Sequence, residues 1–183
     1  MWTGIAVIAA IVVILLVAGF NRLVRLRQNV RESWSAIDTE LKRRYDLIPN
    51  LVEAVKGYAS HEKSTLEEVV AARNSAAANE GSPLKQVGTE NNLTQSIGRL
   101  FAIAESYPQL KASESFQQLQ SQLADTETRI SQARRFYNAN VREMNTAVMT
   151  FPSSLLSRMF GFGMEEYFEI QDPTQREVTQ VKL

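Results

Sequence analysis

The stretch FQQLQSQLADTETRISQARRFYNANVREMNTAVMTF, residues 116–151, decides the fold because it carries one uninterrupted helical pattern. Every seventh position is apolar or aromatic, at Phe116, Leu123, Ile130, Tyr137, Met144 and Phe151. Companion positions three residues further on hold Leu119, Thr126, Ala133, Asn140 and Ala147. This heptad repeat without glycine or proline predicts a straight helix of about 35 residues, roughly 55 Å long. Such a helix needs partners along its length, either other helices of this chain or a second copy.

The region before this helix also has a helical period, although a proline lies within it. Apolar residues recur three to four apart at Val30, Trp34, Ile37, Leu41, Ile48, Val52 and Val55. Pro49 has no N–H to donate and clashes with the carbonyl of Tyr45, so the helix is expected to bend there. The apolar phase continues across the proline, which argues against a reversal of the chain. Asp46 is expected to cap the segment that follows, with Pro49 in its first turn.

Turn signals divide the remainder of the chain. A break is predicted at residues 57–64, where a glycine is followed by a capping-box pattern that begins at Ser64. NEGSPLKQ, residues 79–86, contains glycine and proline and predicts a loop. A further helix is expected to end before Tyr107, which precedes a proline. Only EEYFEI, residues 165–170, has any strand character.

The N-terminal segment WTGIAVIAAIVVILLVAGF, residues 2–20, contains no charged residue. As a helix it would extend about 28 Å, close to the hydrocarbon thickness of a bilayer. A cleaved signal peptide and a buried core helix are the alternatives. A signal peptide normally has a basic start and a small-x-small cleavage site, and neither is found here. The predicted fold class is therefore all-α, with one N-terminal transmembrane helix followed by an elongated antiparallel helical bundle of long, coiled-coil-like helices.

The flanking charges predict the orientation of this anchor. Four arginines and no acidic residue follow it closely, at Arg22, Arg25, Arg27 and Arg31. Positive flanks stay in the cytoplasm, so the N-terminus is expected outside and the body inside, with these arginines near anionic lipid headgroups. The chain has 20 basic and 20 acidic residues, which leaves no excess charge for nucleic acid. Its lack of cysteine fits a reducing compartment.

These patterns divide the chain into three parts. Residues 1–23 are the predicted transmembrane anchor, residues 24–170 the cytoplasmic helical bundle and residues 171–183 a flexible tail. The tail contains a proline, few apolar groups and mixed charges.

Two long blocks resemble the LemA family of bacterial membrane proteins: AIDTELKRRYDLIPNLVEAVKGYASHEKSTLEEVVAAR, residues 36–73, and ARRFYNANVREMNTAVMTFPSSLLSRMFGF, residues 133–162, followed by YFE at 167–169. The resemblance extends from about Gln28 to Glu169. It implies one N-terminal span and a helical cytoplasmic body at the bacterial inner membrane, and it implies no settled biochemical activity. The family pattern falls on Arg44, Asp46, Pro49, Asn50, Val52, Lys56, Tyr137, Asn138, Asn145, Phe151 and Pro152. These residues are candidates for structural or partner contacts, and none is a known catalytic residue of the family.

Familiar catalytic motifs are incomplete in this sequence. His61-Glu62 begins like a zinc helix, but H-E-x-x-H needs a second histidine and the chain has only one. A nucleophilic cysteine is absent, and no serine lies on a recognisable elbow. GFG, residues 161–163, lacks the setting of a phosphate loop and is expected to end a short helix. We therefore expect no catalytic residue, metal, cofactor or small-molecule substrate, and a solvent-facing His61.

Two features of the sequence can each be interpreted in more than one way. Tyr137 and Asn140 lie on or beside the heptad seam and should be buried with hydrogen-bond partners, while Asn50 is expected to contact the carbonyl that Pro49 leaves free. These groups form either a network that sets helix register or a site for a ligand or partner. The apolar segment at residues 152–168 is expected to dock on the bundle or a neighbouring subunit, or to enter the membrane interface.

The function expected from the sequence is that of a non-enzymatic, membrane-anchored helical scaffold or oligomer, which organises proteins or membrane regions at the cytoplasmic face. The alternatives are an adaptor or accessory subunit of a membrane enzyme such as a protease, and a hydrolase with an unrecognised polar site. The expected partners are the lipid bilayer, further copies of the chain and a membrane protein.

Overall fold

A computed structural model of the chain describes residues 2–79 and 81–169. Within these residues the secondary structure is helical, without a strand. The helices are α1 (Trp2–Lys56), α2 (Lys63–Ala77), α3 (Pro83–Glu105), α4 (Pro108–Lys111), α5 (Glu114–Met149) and α6 (Ser153–Phe160). The predicted all-α class is confirmed, and residues 165–169 of the stretch with strand character are not a strand. Ile170 and the predicted tail at residues 171–183 lie outside the described residues.

The chain divides into two compact units, and both α1 and α5 run through the two. The first unit comprises Met1–Ile37 and Ala133–Tyr167, and the second comprises Asp38–Gln132 with the residues from Phe168 onward. The predicted boundary between anchor and bundle after residue 23 lies inside the continuous helix α1.

The N-terminal part of α1 is long and apolar enough to cross a membrane. None of its most apolar 18-residue window is buried inside the protein, which argues against the alternative of a core helix. Further along α1, Leu23, Leu26 and Val30 are buried in the first unit, as are Val141 and Met144 of α5. The rings of Trp34 and Tyr137 pack with centroids 5.3 Å apart, and the Asn140 side-chain amide lies 3.5 Å from the carbonyl oxygen of Asn29. Lower numbers on α1 thus face higher numbers on α5, so the two helices are antiparallel in this unit.

The second unit has a continuous apolar core built from the remaining part of α1, from α2 to α4 and from the first half of α5. Its buried members include Ile48, Leu51, Val55, Leu66, Val69, Leu93, Ile97, Leu100, Leu110, Phe116 and Leu123. Each fully buried aliphatic side chain of this kind contributes roughly 1.5–3 kcal/mol relative to exposure. Phe101 packs edge-on against Phe116 at 6.1 Å between ring centroids.

The heptad pattern locates α5 correctly, since the helix spans 36 residues and its seam is buried as far as Met144. Phe151 is the exception, because 80% of its side chain is exposed. The helix ends at Met149, ahead of Pro152, so the seam has no helical continuation at Phe151.

The predicted breaks in the chain match the helix ends, but two predicted caps do not form. The break at residues 57–64 and the loop at 79–86 overlap the gaps between α1, α2 and α3, although residues 63–64 already belong to α2 and residues 83–86 to α3. Ser64 cannot cap α2, because the helix already begins at Lys63 and its N-cap is Glu62. Asp46 caps no helix start, because α1 continues through Pro49. The short helix α4 was not predicted.

Candidate functional site

The polar centre of the second unit is an ion cluster formed by α1, α3 and α5. Arg44 and Glu90 both have fully buried side chains, and the guanidinium of Arg44 donates a hydrogen bond to the Glu90 carboxylate. Its other terminal nitrogen lies 2.7 Å from Oε1 of the partly exposed Glu127 and 3.4 Å from the Thr94 hydroxyl. Because a buried charge is tolerated only when it is paired, each member depends on the others. The cluster therefore fixes the register of three helices.

Tyr45 completes this cluster from the neighbouring position on α1. Its hydroxyl donates a hydrogen bond to the second oxygen of the Glu90 carboxylate. Burial raises the pKa of Tyr45, and the nearby Arg44 charge only partly opposes that shift. The phenol therefore stays protonated and remains a hydrogen-bond donor at neutral pH.

The carbonyl that Pro49 leaves without a helical donor is satisfied by a neighbouring helix. Nε of Arg73, on α2, lies 3.2 Å from the carbonyl oxygen of Tyr45 and donates to it. The prediction that Asn50 contacts this carbonyl is wrong, because Asn50 lies on the exposed side of α1. An arginine on a facing helix can reach this carbonyl, because its side chain is long and ends in planar N–H groups.

A second polar cluster holds the chain that follows α6 against α5 in the first unit. The side-chain amide of Asn145 donates to the carbonyl of Glu165 at 3.0 Å, and its oxygen accepts from the Glu165 N–H at 2.8 Å. The Tyr137 hydroxyl donates to the carbonyl of Glu166 at 2.8 Å. Burial, together with the charges of Glu165 and Glu166, raises the pKa of Tyr137 to about 12. These three bonds replace a strand or helix partner for the backbone at 165–166.

The residues selected by the family pattern thus separate into different surroundings. Arg44, Tyr137 and Asn145 lie in the two buried clusters, and Val52 lies in the apolar core. Asn138 is half-buried on α5. The remaining residues lie on the exposed surface, at Asp46, Pro49, Asn50, Lys56, Phe151 and Pro152.

Glu90, Arg73 and Glu127 were not among the predicted site residues. Glu90 was detectable, because it lies seven residues before Ile97 and three before Leu93, on the apolar face of α3. A carboxylate on such a face indicates a buried cationic partner. Arg73 and Glu127 carry no comparable signal, since their roles depend on which helices are neighbours.

An open groove lies beside the C-terminal end of α1 and along α2, with a volume of about 580 Å³. Its apolar floor includes Val52, Leu66, Val70 and Ala71. Its rim carries two ion pairs, Lys56–Glu53 at 3.2 Å and Lys63–Glu67 at 3.6 Å. An apolar floor within a charged rim is typical of a surface that receives another protein segment.

In the part of the chain that the structure describes, no group of three or more His, Cys, Asp and Glu residues is placed to hold a metal ion. His61 lies on the exposed turn between α1 and α2, as expected. GFG does follow the end of a short helix, because Gly161 caps α6 with a left-handed φ of 70°.

Comparison with known proteins identifies a family and several relatives. The family model described as the LemA family matches residues 33–183. Magnetosome protein MamQ of Magnetospirillum gryphiswaldense is 26% identical, over 81% of this chain and 64% of that protein. Magnetosome protein MamQ 1 of Paramagnetospirillum magneticum is 24% identical, over 82% and 64% respectively. Protein LemA of Metamycoplasma hominis is 25% identical, over 72% of this chain and 60% of its own length.

The chain thus spans less than two thirds of the length of the curated relatives it matches. None of these descriptions names an enzymatic activity. The match to the family model over residues 33–183 shows that the chain belongs to the LemA family.

Proposed function

We propose that this protein is a non-enzymatic, membrane-anchored helical scaffold, which forms homo-oligomers and organises proteins or membrane regions at the cytoplasmic face of the inner membrane. The LemA family and the apolar start of α1 support a membrane-associated protein that is not an enzyme. Four arginines after the apolar segment favour an outside N-terminus and a cytoplasmic body. The MamQ relatives are described as magnetosome proteins, which is consistent with a membrane-associated role.

The groove along α2 is the observation that carries the proposal. Val70 lines it and remains 39% exposed, while the polar residues of the two buried clusters are occupied by contacts within the protein. A helix of another copy would cover the apolar floor. The rim presents two lysines and two glutamates, so the same surface on a second copy can offer opposite charges across a two-fold axis.

The mass of the purified full-length protein in detergent tests this proposal. Multi-angle light scattering should give one discrete oligomer for the natural chain. Val70→Glu places a charge on the groove floor and should shift the mass toward the monomer, because an unpaired charge in an interface is costly. The control is Gln118→Glu on the exposed side of α5, which adds the same charge and should leave the mass unchanged.

A different result would favour a different function. A monomeric natural chain that cross-links to another protein in intact membranes would indicate an adaptor and contradict the self-assembling scaffold. An oligomer unaffected by Val70→Glu would show that assembly uses another surface.

A further inference from the structure

The helix α6 packs against the last apolar turn of the N-terminal segment of α1. The ring of Phe160 lies 4.8 Å from that of Phe20, and the ring of Phe162 lies 5.8 Å from Phe20, both edge-on. The Arg27 guanidinium covers the Phe162 ring at 4.7 Å. These three contacts attach the C-terminal end of α6, at Phe160, and the nearby Phe162 to α1 within the first unit.

Gly19 allows this close approach. A Cβ atom built on Gly19 would lie 2.7 Å from Cδ1 of Leu156, a distance that real contacts do not reach. Leu156 therefore occupies space that any other residue at position 19 would fill. The absence of a side chain at this position leaves room for Leu156 on the buried face of α6.

A second part of the α6 surface, next to its contact with α1, is apolar and exposed. Leu155 is 55% exposed and Met159 is 75% exposed, and they lie four residues apart on one face of the helix. Exposed apolar side chains flank them in the chain, at Met149, Phe151, Phe160 and Met164. Arg158 is the basic residue of α6, and it is exposed beside this face. In water, apolar surface of this extent on so short a helix would be unfavourable.

The contacts with α1 determine the depth of this face. An apolar pocket of about 350 Å³ is lined by Leu16, Val17 and Phe20 from α1 and by Leu156, Met159 and Phe160 from α6. The apolar segment ends at Phe20, and Leu16 lies four residues deeper, which is about 6 Å along a helix. Interfacial helices bury their apolar face roughly 5–10 Å into the boundary between headgroups and acyl chains. With the apolar segment of α1 across a bilayer, the exposed face of α6 would lie at this depth.

We propose that α6 is an interfacial membrane helix, whose exposed Leu155 and Met159 enter the outer part of the acyl-chain region while Arg158 remains among the headgroups. This inference rests on the proposed membrane anchoring by α1. It adds a second element to the membrane contact, fixed beside the end of the span. A lipid occupant is favoured over a protein because the apolar face is continuous with the apolar face of the span, whose Leu16 and Val17 are themselves exposed.

Site-directed spin labelling tests the proposal in the full-length protein, which has no natural cysteine. The probe is a nitroxide on Met159→Cys or Leu155→Cys, in vesicles of phosphatidylcholine and phosphatidylglycerol. Accessibility to oxygen, which is enriched in lipid, is compared with accessibility to a water-soluble nickel chelate. The matched labels are Leu15→Cys within the apolar segment and Glu143→Cys on the exposed surface of α5. Both α6 labels should favour oxygen more than Glu143→Cys does and less than Leu15→Cys does.

The controls separate failure of the inference from failure of the anchor. An α6 label as accessible to nickel as Glu143→Cys, beside a lipid-exposed Leu15→Cys, would overturn the inference and leave the anchor intact. An α6 label shielded from both reagents would mean that protein covers this face, which also overturns it. A Leu15→Cys label accessible to nickel would reject membrane anchoring, and the inference would fail with it.

Discussion

The side chain of Arg73 donates a hydrogen bond to the backbone carbonyl of Tyr45, at 3.2 Å between Nε and the oxygen. This carbonyl is the one whose helical donor is missing, because the residue four positions later is Pro49. A bend-forming residue on α1 and a long side chain on α2 therefore act as a pair. The proline removes the backbone donor to this carbonyl, and the arginine supplies a side-chain donor in its place. The role of each residue is therefore clear only when both are considered.

A double-mutant cycle tests this pair. Arg73→Met should reduce the free energy of unfolding by about 0.5–1.5 kcal/mol, because it removes the hydrogen bond to the Tyr45 carbonyl, while the exposed bond to Asn74 that is also lost contributes little. In the Pro49→Ala background the new N–H can reach the Tyr45 carbonyl, so the same substitution should cost less. Chemical denaturation in detergent measures the four proteins. Equal costs of Arg73→Met in both backgrounds would mean that the arginine stabilises the protein in some other way.

Separating the buried ion pair should be far more costly than separating an exposed one. Arg44→Met leaves Glu90 buried without its cation and should destabilise the protein by about 3–5 kcal/mol. The double variant Arg44→Met/Glu90→Leu removes both charges and should recover much of this loss. Arg99→Met is the control, because Arg99 and Glu68 form an exposed pair at 2.5 Å whose loss should cost less than about 1 kcal/mol. If the single and double variants lose equal stability, charge burial is not the cause.

Alkaline pH should weaken the attachment of Tyr137. Its pKa rises from 10.0 to about 12 on folding, chiefly through burial. Between these values the unfolded phenol has lost its proton while the folded one retains it, so this contribution is complete below pH 10 and is lost as the pH rises toward 12. The slope is about 1.4 kcal/mol per pH unit within that window. Tyr137→Phe should therefore show a shallower decline between pH 10 and 12 than the natural chain, and identical slopes would refute the assignment.

The position of the α5 seam is tested by moving one charge by two residues. Ile130 is buried, so Ile130→Asp places an unpaired carboxylate in the protein interior at a cost of several kcal/mol. Gln132→Asp introduces the same side chain on the exposed side of the same helix and should change stability by no more than about 0.5 kcal/mol. Thermal unfolding in detergent compares the two. Tolerance of the charge at position 130 would show that the seam is misplaced.

The orientation in the membrane is tested by a fusion after Leu183. A reporter enzyme that is active only outside the cytoplasm should remain silent there, because the arginines after the apolar segment favour the cytoplasmic side. A cytoplasm-active reporter at the same position is the control and should give signal. The reverse pattern would invert the proposed topology.

The sequence predicts the helices more reliably than it predicts their contacts. The heptads at Leu123, Ile130 and Met144 locate α5 because burial repeats with the helical period, which is a local property of the chain. Phe151 continues the heptad repeat in the sequence but is exposed in the structure, because the helix ends two residues earlier. Periodicity alone gives no signal for where a regular helix stops.

Contacts between helices need information that lies outside any one helix. The buried positions of Arg44 and Glu90 can be recognised from the apolar faces on which they lie, but their pairing depends on α1 and α3 being neighbours. For the same reason nothing in the sequence links Arg73 to Tyr45, and the sequence favours Asn50 only because it adjoins Pro49. The backbone bonds of Asn145 were equally hidden, because their partner at Glu165 lies in a segment without regular structure.

The continuity of α1 has a mechanical consequence. The apolar segment and the helical turns after it belong to one helix without a break, and α6 is attached to it at Phe20. A helix whose apolar length differs from the thickness of its bilayer adjusts by tilting. Since there is no flexible linker after residue 20, such a tilt must also rotate the polar turns of α1 and lift or lower α6. A change in membrane thickness would thereby change the angle between α1 and the membrane.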